Sequence, residues 1–430
     1  MIKLYKYLEK YTKHVIKSIA FFPVLISLSF LIISFLLFYL EDITFIKEIK
    51  EEAPYLFIQN IDTARTALSI IIGGILSLTV FSFSMVMVVL GQASANFSPR
   101  LLPGLISDKK HQVILGFYIG TLLFSITTLL FIGADTAEKF NHGISVTLST
   151  VLCFICVGLF AYFIHTISRN IQIDSITESI YKKSLFNFKK KLSEEHNYLA
   201  TSANVNTKNW IPITSDKTSY FRGFSTGFLS KEIKDKATSI EVQPYIGQHV
   251  WTGNVILKVK DPLSEKEREL LKAGLLYSDD RLEGDNVLSG LIKLSEVAVK
   301  ALSPGINDPG TAIDAIAKIT RILEHSLAIA LQKIYKVKNG NLIVIQNHIA
   351  TDEIMRLVIQ PIRHYGKEDV LVTHTLVASL FSITRNANIR KEEKQSIRIE
   401  LQNIKDSIKK HVESKSDQDR ILSLFEDSKN

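Results

Sequence analysis

The sequence predicts an α-helical polytopic membrane protein with four transmembrane helices and a cytoplasmic α+β region, a small β barrel- or sandwich-like module followed by a helical domain. Three observations carry this. Four uncharged apolar runs, residues 18–40, 66–90, 113–133 and 143–168, each approach or exceed the roughly 20 residues that cross a hydrocarbon core. Beyond residue 168 no such run recurs. The pattern there passes from a basic helical stretch to short alternating strands with turn glycines, and then to amphipathic helices.

The parts follow in order as a basic N-terminus (1–17), the four-helix membrane domain (18–168), a basic helical connector (169–205), the β module (206–262) and the helical domain (263–430). The first run, about 23 residues, is too long for a signal-peptide core, and no small-residue cleavage site follows it, so no cleavable signal is expected. The net charge is +8, from 51 basic and 43 acidic residues, a modest excess whose placement suits a membrane surface and gives no case for nucleic acid. The two cysteines, Cys153 and Cys156, lie one turn apart inside the fourth run and read as small packing residues. No disulfide framework, zinc site, metal or cofactor is expected from them.

Orientation follows from the loops. The N-terminus, the loop carrying Arg100, Lys109 and Lys110, and the segment carrying Arg169, Lys182, Lys183, Lys189, Lys190 and Lys191 together hold 14 basic residues, against four in the other two loops. The positive-inside rule places both termini in the cytoplasm. Residues 41–65, including Glu41, then face outward, and Arg100, Lys109, Lys110, Lys182 and Lys183 are candidate contacts to the cytoplasmic membrane surface.

The second run is unusual. No charge occurs from residue 66 to residue 99. A continuous helix of that length would be roughly 50 Å long, well beyond the hydrocarbon core. It therefore tilts, breaks near Gly91, or continues past the lipid. Thr66, Ser69, Gly73, Ser77, Ser84 and Gly91 recur at spacings of three, four, four, seven and seven, one face of a helix. Such a stripe serves close helix packing, or it lines a shared pathway with Gln92, Ser94 and Asn96 as a neutral mouth. Ser69, Gly73, Ser77, Ser84, Gly91, Gln92 and Asn96 are the pore-lining candidates. No acid or base lies mid-membrane to serve an ion-coupled pump. Gly116 and Gly120 form a small-xxx-small pair for packing.

In the second half, residues 240–245 and 255–260 alternate as strands, with Gly223, Gly227, Gly247 and Gly253 at turns. Gly247, Val250 and Gly253 resemble the hairpin of biotinyl/lipoyl-like domains, without the tip lysine of a carrier. Ser264 with Glu267 is a capping box opening a helix to about residue 276. Residues 286–302 form an amphipathic helix with Leu288, Leu291, Leu294 (or Ile292), Val297, Val299 and Leu302 mostly inward. Ser303, Pro304, Gly305, Asn307 and Asp308 then form a corner or ligand loop: Pro304-Gly305 suits a type II turn, and Asp308 is an N-cap with Pro309 at the first helical position. A helix N-terminus there suits an anion, but Asp308 opposes one. Three or four further helices follow residue 351.

At these residues a family likeness appears. Residues 81–84 (Phe-Ser-Phe-Ser), 97–102 (Phe-Ser-Pro-Arg-Leu-Leu), 112–116 (Gln-Val-Ile-Leu-Gly), 301–309 (Ala-Leu-Ser-Pro-Gly-Ile-Asn-Asp-Pro) and 361–366 (Pro-Ile-Arg-His-Tyr-Gly) resemble the domain-of-unknown-function 2254 family of predicted bacterial membrane proteins. Gly310 departs from it, standing where the family usually carries an aromatic residue. The resemblance implies a bacterial inner-membrane location and this architecture, and it implies no activity.

No GxSxG elbow, HExxH, P-loop or clustered His/Asp/Glu set points to an enzyme, and none is expected. Two functions fit. One is a homo-oligomeric channel or pore-like protein, with the second span at the axis, the soluble half as vestibule or gate, and inorganic ions as its partners beside the lipid bilayer. The other is a membrane-anchored sensor or scaffold whose soluble half binds a ligand or protein.

Overall fold

The computed structural model describes residues 18, 20–41, 57–58, 60–96, 109–133, 142–170, 173–193, 205–282, 286–328 and 332–427. The chain divides into two compact units, one up to residue 172 and one from residue 173. Each is described by itself.

Among the described residues, four helices make up the first unit: α1 (Phe21–Leu40), α2 (Ile61–Asn96), α3 (Lys109–Gly133) and α4 (Gly143–Asn170). All four are long and apolar enough to cross a membrane. Half of the apolar window of α3 is buried, against no more than 22% for the others. Its glycines explain part of this. A Cβ on Gly116 would lie 2.9 Å from the Cα of Pro23, and one on Gly120 would lie 2.9 Å from the ring of Phe30. The α1 helix thus rests on the α3 backbone, and close approach of this kind replaces the hydrophobic drive that lipid removes. On its other side, Ala64 and Leu68 of α2 pack with Ile132 and Val146, while Ile71 and Ile75 pack with Ile114, Tyr118 and Cys156.

The α2 helix shows no break. The expected run of 66–90 extends to 61–96, and Gly91 stands inside regular helix. A lone helical glycine costs about 1 kcal/mol. That is less than the cost of leaving backbone groups unpaired in an apolar medium.

The second unit begins with α5 (Ile173–Ser193). The connector helix therefore belongs to the second unit's core. Ile176, Thr177 and Ser184 are buried, and Ile180 and Tyr181 pack on the main helical cluster. Among the described residues eight strands follow: β1 (Ile211–Thr214), β2 (Ser219–Phe224), β3 (Ser239–Val242), β4 (His249–Val250), β5 (Val255–Val259), β6 (Leu275–Ser278), β7 (Gln332–Lys336) and β8 (Ile343–Asn347). They form a five-stranded sheet of order β1-β5-β3-β8-β7 and a three-stranded sheet of order β4-β2-β6. The β3–β8 pair is parallel and the others are antiparallel.

Three strands come from the stretch expected to be helical. β6, β7 and β8 lie beyond residue 262 and join the sheets. Each has four or five residues, too few alternations to stand out as a period. Gly247 and Gly253 do sit at turns, with φ 96° and 90°. The capping box of Ser264 and Glu267 opens α6 (Glu265–Lys272), which stops short of residue 276 because β6 begins.

The remaining helices, single turns aside, are α7 (Val287–Ala301), α8 (Pro309–Ser326), α9, α10 (Val370–Arg385), α11 (Lys391–His411) and α12 (Lys415–Asp427). They enclose one apolar core. α9 runs continuously through Thr351–Ile354, a π turn at Met355–Ile359, and Gln360–Tyr365. Pro361 explains the wide turn, because it has no N–H and its ring crowds the carbonyl four residues back. Ser295 of α7 donates to the Val358 carbonyl in that turn at 2.7 Å.

Candidate functional site

The stripe on α2 lies on the side of the helix away from the bundle. Ala64, Leu68, Ile71, Ile75 and Ser82 are buried, whereas Thr66, Ser69, Gly73, Ser77, Ser84, Gly91 and Gln92 are exposed. At 3.6 residues per turn the two sets fall on opposite faces. A Cβ placed on Gly73, Gly74 or Gly91 would meet nothing within 4 Å. The glycines of α3 are used for packing within the chain, and the small residues of the α2 stripe are not. The hydroxyls of Thr66, Ser69 and Ser77 donate to the carbonyls four residues back, of Asp62, Arg65 and Gly73, at 2.8, 2.8 and 3.0 Å. Their donors are thereby used, and their oxygen lone pairs are what the face offers. Asn96 is helical, but its side chain lies outside the described residues.

At one end of the bundle is a cluster that sequence reasoning missed. Glu41 is 0% exposed, so it is a buried acid and not a solvated loop acid. Its carboxylate accepts the Ser145 N–H and the Ser145 hydroxyl, each at 2.6 Å. His142, also buried, places Nδ1 3.7 Å from the other carboxylate oxygen and stacks on Phe38. Arg65 donates to the Ile132 carbonyl at 3.2 Å. A carboxylate at the start of α4 and a cation at the end of α3 both complement the local helix dipoles. The signal was the acid placed immediately after the first run, with His-Gly-x-Ser where the fourth begins.

Replacing Glu41 with leucine should therefore destabilise the first unit by about 2–5 kcal/mol, because a buried N–H and a buried hydroxyl lose their acceptor. Glu41→Gln keeps an acceptor and should restore most of the loss. Unfolding in detergent followed by circular dichroism measures both.

In the second unit, the corner between α7 and α8 is exposed at Pro304, Gly305, Asn307 and Asp308 and served from within. The Ile306 and Asn307 N–H groups donate to the Ser303 carbonyl, and the Asp308 N–H donates to Ala301, all at 2.9 Å. Gly305 is not in the left-handed region, so the expected type II turn is not formed. The left-handed residue is Asn307, at φ 47°, a conformation asparagine tolerates. Asp308 caps α8 by accepting the Thr311 N–H at 3.1 Å and the Thr311 hydroxyl at 2.6 Å. The carboxylate thus occupies the place an anion would take.

Those bonds from Thr311 hold the Asp308 carboxyl below its ordinary value of 3.8. A depressed folded value means that the cap's contribution is full above the ordinary carboxylate range and is lost as pH falls through the folded value. Asp308→Asn, an equally good cap, should match the wild type at neutral pH and lack this loss in acid. Acid titration of tryptophan fluorescence, with Trp210 and Trp251 both in the second unit, reports it.

Two of the blocks that carry the family likeness meet here. A Cβ on Gly366 would lie 2.8 Å from Val372 and 3.3 Å from Leu302, so residues 301–309 and 361–366 share one packing site. Arg363 donates to the buried Glu400 at 2.7 Å. The structure also joins α5 to α8: the buried Lys318 pairs with Asp314 and donates to Thr177 at 2.9 Å.

Among the membrane-surface candidates, Lys109, Lys110, Lys182 and Lys183 are exposed. The Lys109 ammonium lies 5.6 Å from the centre of the Phe22 ring, and Lys182 pairs with Glu178 at 3.2 Å. Arg100 and the 97–102 block lie outside the described residues. Among the described residues no three His, Cys, Asp or Glu side chains are grouped to hold a metal ion.

Comparison with known proteins agrees with the membrane architecture. A family model described as a predicted membrane protein, DUF2254, matches residues 16–382. Uncharacterized proteins of Mycobacterium bovis and Mycobacterium tuberculosis are 23% identical over 329 residues. The match covers 73% of this chain and 61% of each relative, less than two thirds of the relatives' length. No solved structure matches the chain.

Proposed function

Because this chain belongs to the DUF2254 family of predicted membrane proteins, we propose that it forms a homo-oligomeric, channel-like assembly in the bacterial inner membrane. In this reading α2 lines the shared pathway, both termini are cytoplasmic, and the second unit acts as vestibule or gate. One observation carries the proposal: the small and polar stripe of α2 is open and turned away from its own bundle. Four spans enclose little space of their own, so a pathway along that face needs further copies around an axis. Hydroxyls whose donors are bonded back to the helix present acceptor oxygens, which suit an inorganic cation better than an anion. The 36-residue helix, roughly 54 Å long, reaches beyond the hydrocarbon core and carries Gln92 to a hydrated mouth.

A second reading, a membrane-anchored sensor or scaffold, draws on the second unit. The shared packing site of residues 301–309 and 361–366 leaves Tyr365 and Leu371 exposed beside it. Ion flux into liposomes carrying the purified protein tests the first reading against empty liposomes. Selective flux above leak supports the channel. No flux of any common ion, from folded and inserted protein, overturns it in favour of the scaffold.

A further inference from the structure

The interior of the four-helix bundle holds hydroxyls that its packing leaves unserved. Ser82 on α2, Tyr118 and Ser125 on α3 and Ser149 on α4 are each 0–3% exposed. None of their oxygens has a hydrogen-bond partner. Nearby threonines solve the same problem locally: Thr121 donates to the Phe117 carbonyl at 2.8 Å and Thr128 to that of Phe124 at 2.9 Å.

These groups form a line. On α3, Tyr118, Thr121, Ser125 and Thr128 recur at spacings of three, four and three, one helix face. On α4, Ser145, Ser149 and Cys156 recur at four and seven. Cys156 Sγ lies 3.5 Å from Thr121 Oγ1, which brings the two faces together. The α3 set spans roughly 15 Å along the helix axis. At one end of the α4 set, the Ser145 hydroxyl bonds the buried Glu41 carboxylate.

We propose that each protomer binds a file of internal water molecules between α3 and α4, held by Ser82, Tyr118, Ser125 and Ser149 and leading to Glu41. Water fits the chemistry. The lining groups are neutral donors and acceptors, and no carboxylate or cation stands among them to hold an ion. Successive members of the α3 face are spaced about 5 Å along the helix axis, a span that one bridging water covers. Buried waters characteristically serve polar groups that lack other partners. The site lies inside one protomer and does not depend on the α2 pathway.

X-ray hydroxyl-radical footprinting of the full-length protein in lipid nanodiscs tests this, because radicals made from bound water modify the side chains beside it. The same experiment in 18O-water identifies the source of the added oxygen. Tyr118 and Cys156, both 0% exposed, should be modified at least about tenfold faster than the equally buried Phe124, after correction for intrinsic reactivity, and should carry the label. A Ser125→Val/Ser149→Val protein should lose most of that modification. Modification of Tyr118 and Cys156 no faster than that of Phe124 would overturn the proposal and assign the four hydroxyls to carbonyls of their own helices.

Discussion

In liposomes carrying the Ser84→Trp protein, ion flux is expected to fall to the level of empty liposomes, with assembly unchanged. Ser84 stands on the open face of α2, in line with Thr66, Gly73, Ser77 and Gly91. Indole at that position enters no packed interior of the protomer, so the bundle should tolerate it. At the proposed axis one indole arrives from every copy, and together they close a narrow passage and replace a polar lining with an apolar one. Size-exclusion chromatography with light scattering checks that the assembly survives. Normal flux through an intact Ser84→Trp assembly would remove α2 from the pathway.

Gly290→Val should unseat the connector helix. A Cβ on Gly290 would fall 1.9 Å from the Ser184 hydroxyl oxygen and 3.0 Å from its Cβ. That hydroxyl is bonded to the Ile180 carbonyl at 2.8 Å, so turning it aside breaks a bond in α5. Valine for glycine gains a few tenths of a kcal/mol in helix propensity. Overpacking of a tight contact costs about 1–3 kcal/mol, and the larger effect decides the sign. Thermal unfolding followed by Trp210 and Trp251 should show a loss of that size. Ser184→Gly removes both offending atoms and should recover much of it in the double variant. Additive effects of the two substitutions would mean that α5 does not seat against Gly290.

The parts of this protein legible in sequence are those whose cause is local. The four spans follow from the length of uncharged apolar runs. The caps at Ser264 and Asp308 follow from a side chain and an amide three residues away. The glycines at 247 and 253 follow from turns that need a positive φ. The stripe on α2 follows from helical spacing alone. The same information stops where a partner is distant in sequence. Glu41 reads as a loop acid until Ser145, 104 residues on, takes its carboxylate into the bundle. β8 reads as part of a helical domain until β3, a hundred residues earlier, supplies its hydrogen bonds. The corner's left-handed residue went to Asn307 because three backbone bonds to Ser303 and Ala301 settle the loop, not the Pro-Gly pair.

The sequence by itself determined that the chain carries four runs long and apolar enough to cross a membrane, and which residues of α2 share a face. Hydrophobic length and periodicity are properties of a single segment, and the solvent reads them one segment at a time. Only the tertiary structure decided which face of α2 is free, that Glu41 is buried, and that α5 belongs to the second unit. Each of those depends on which surfaces find a partner of matching shape and charge, and no single segment contains that information.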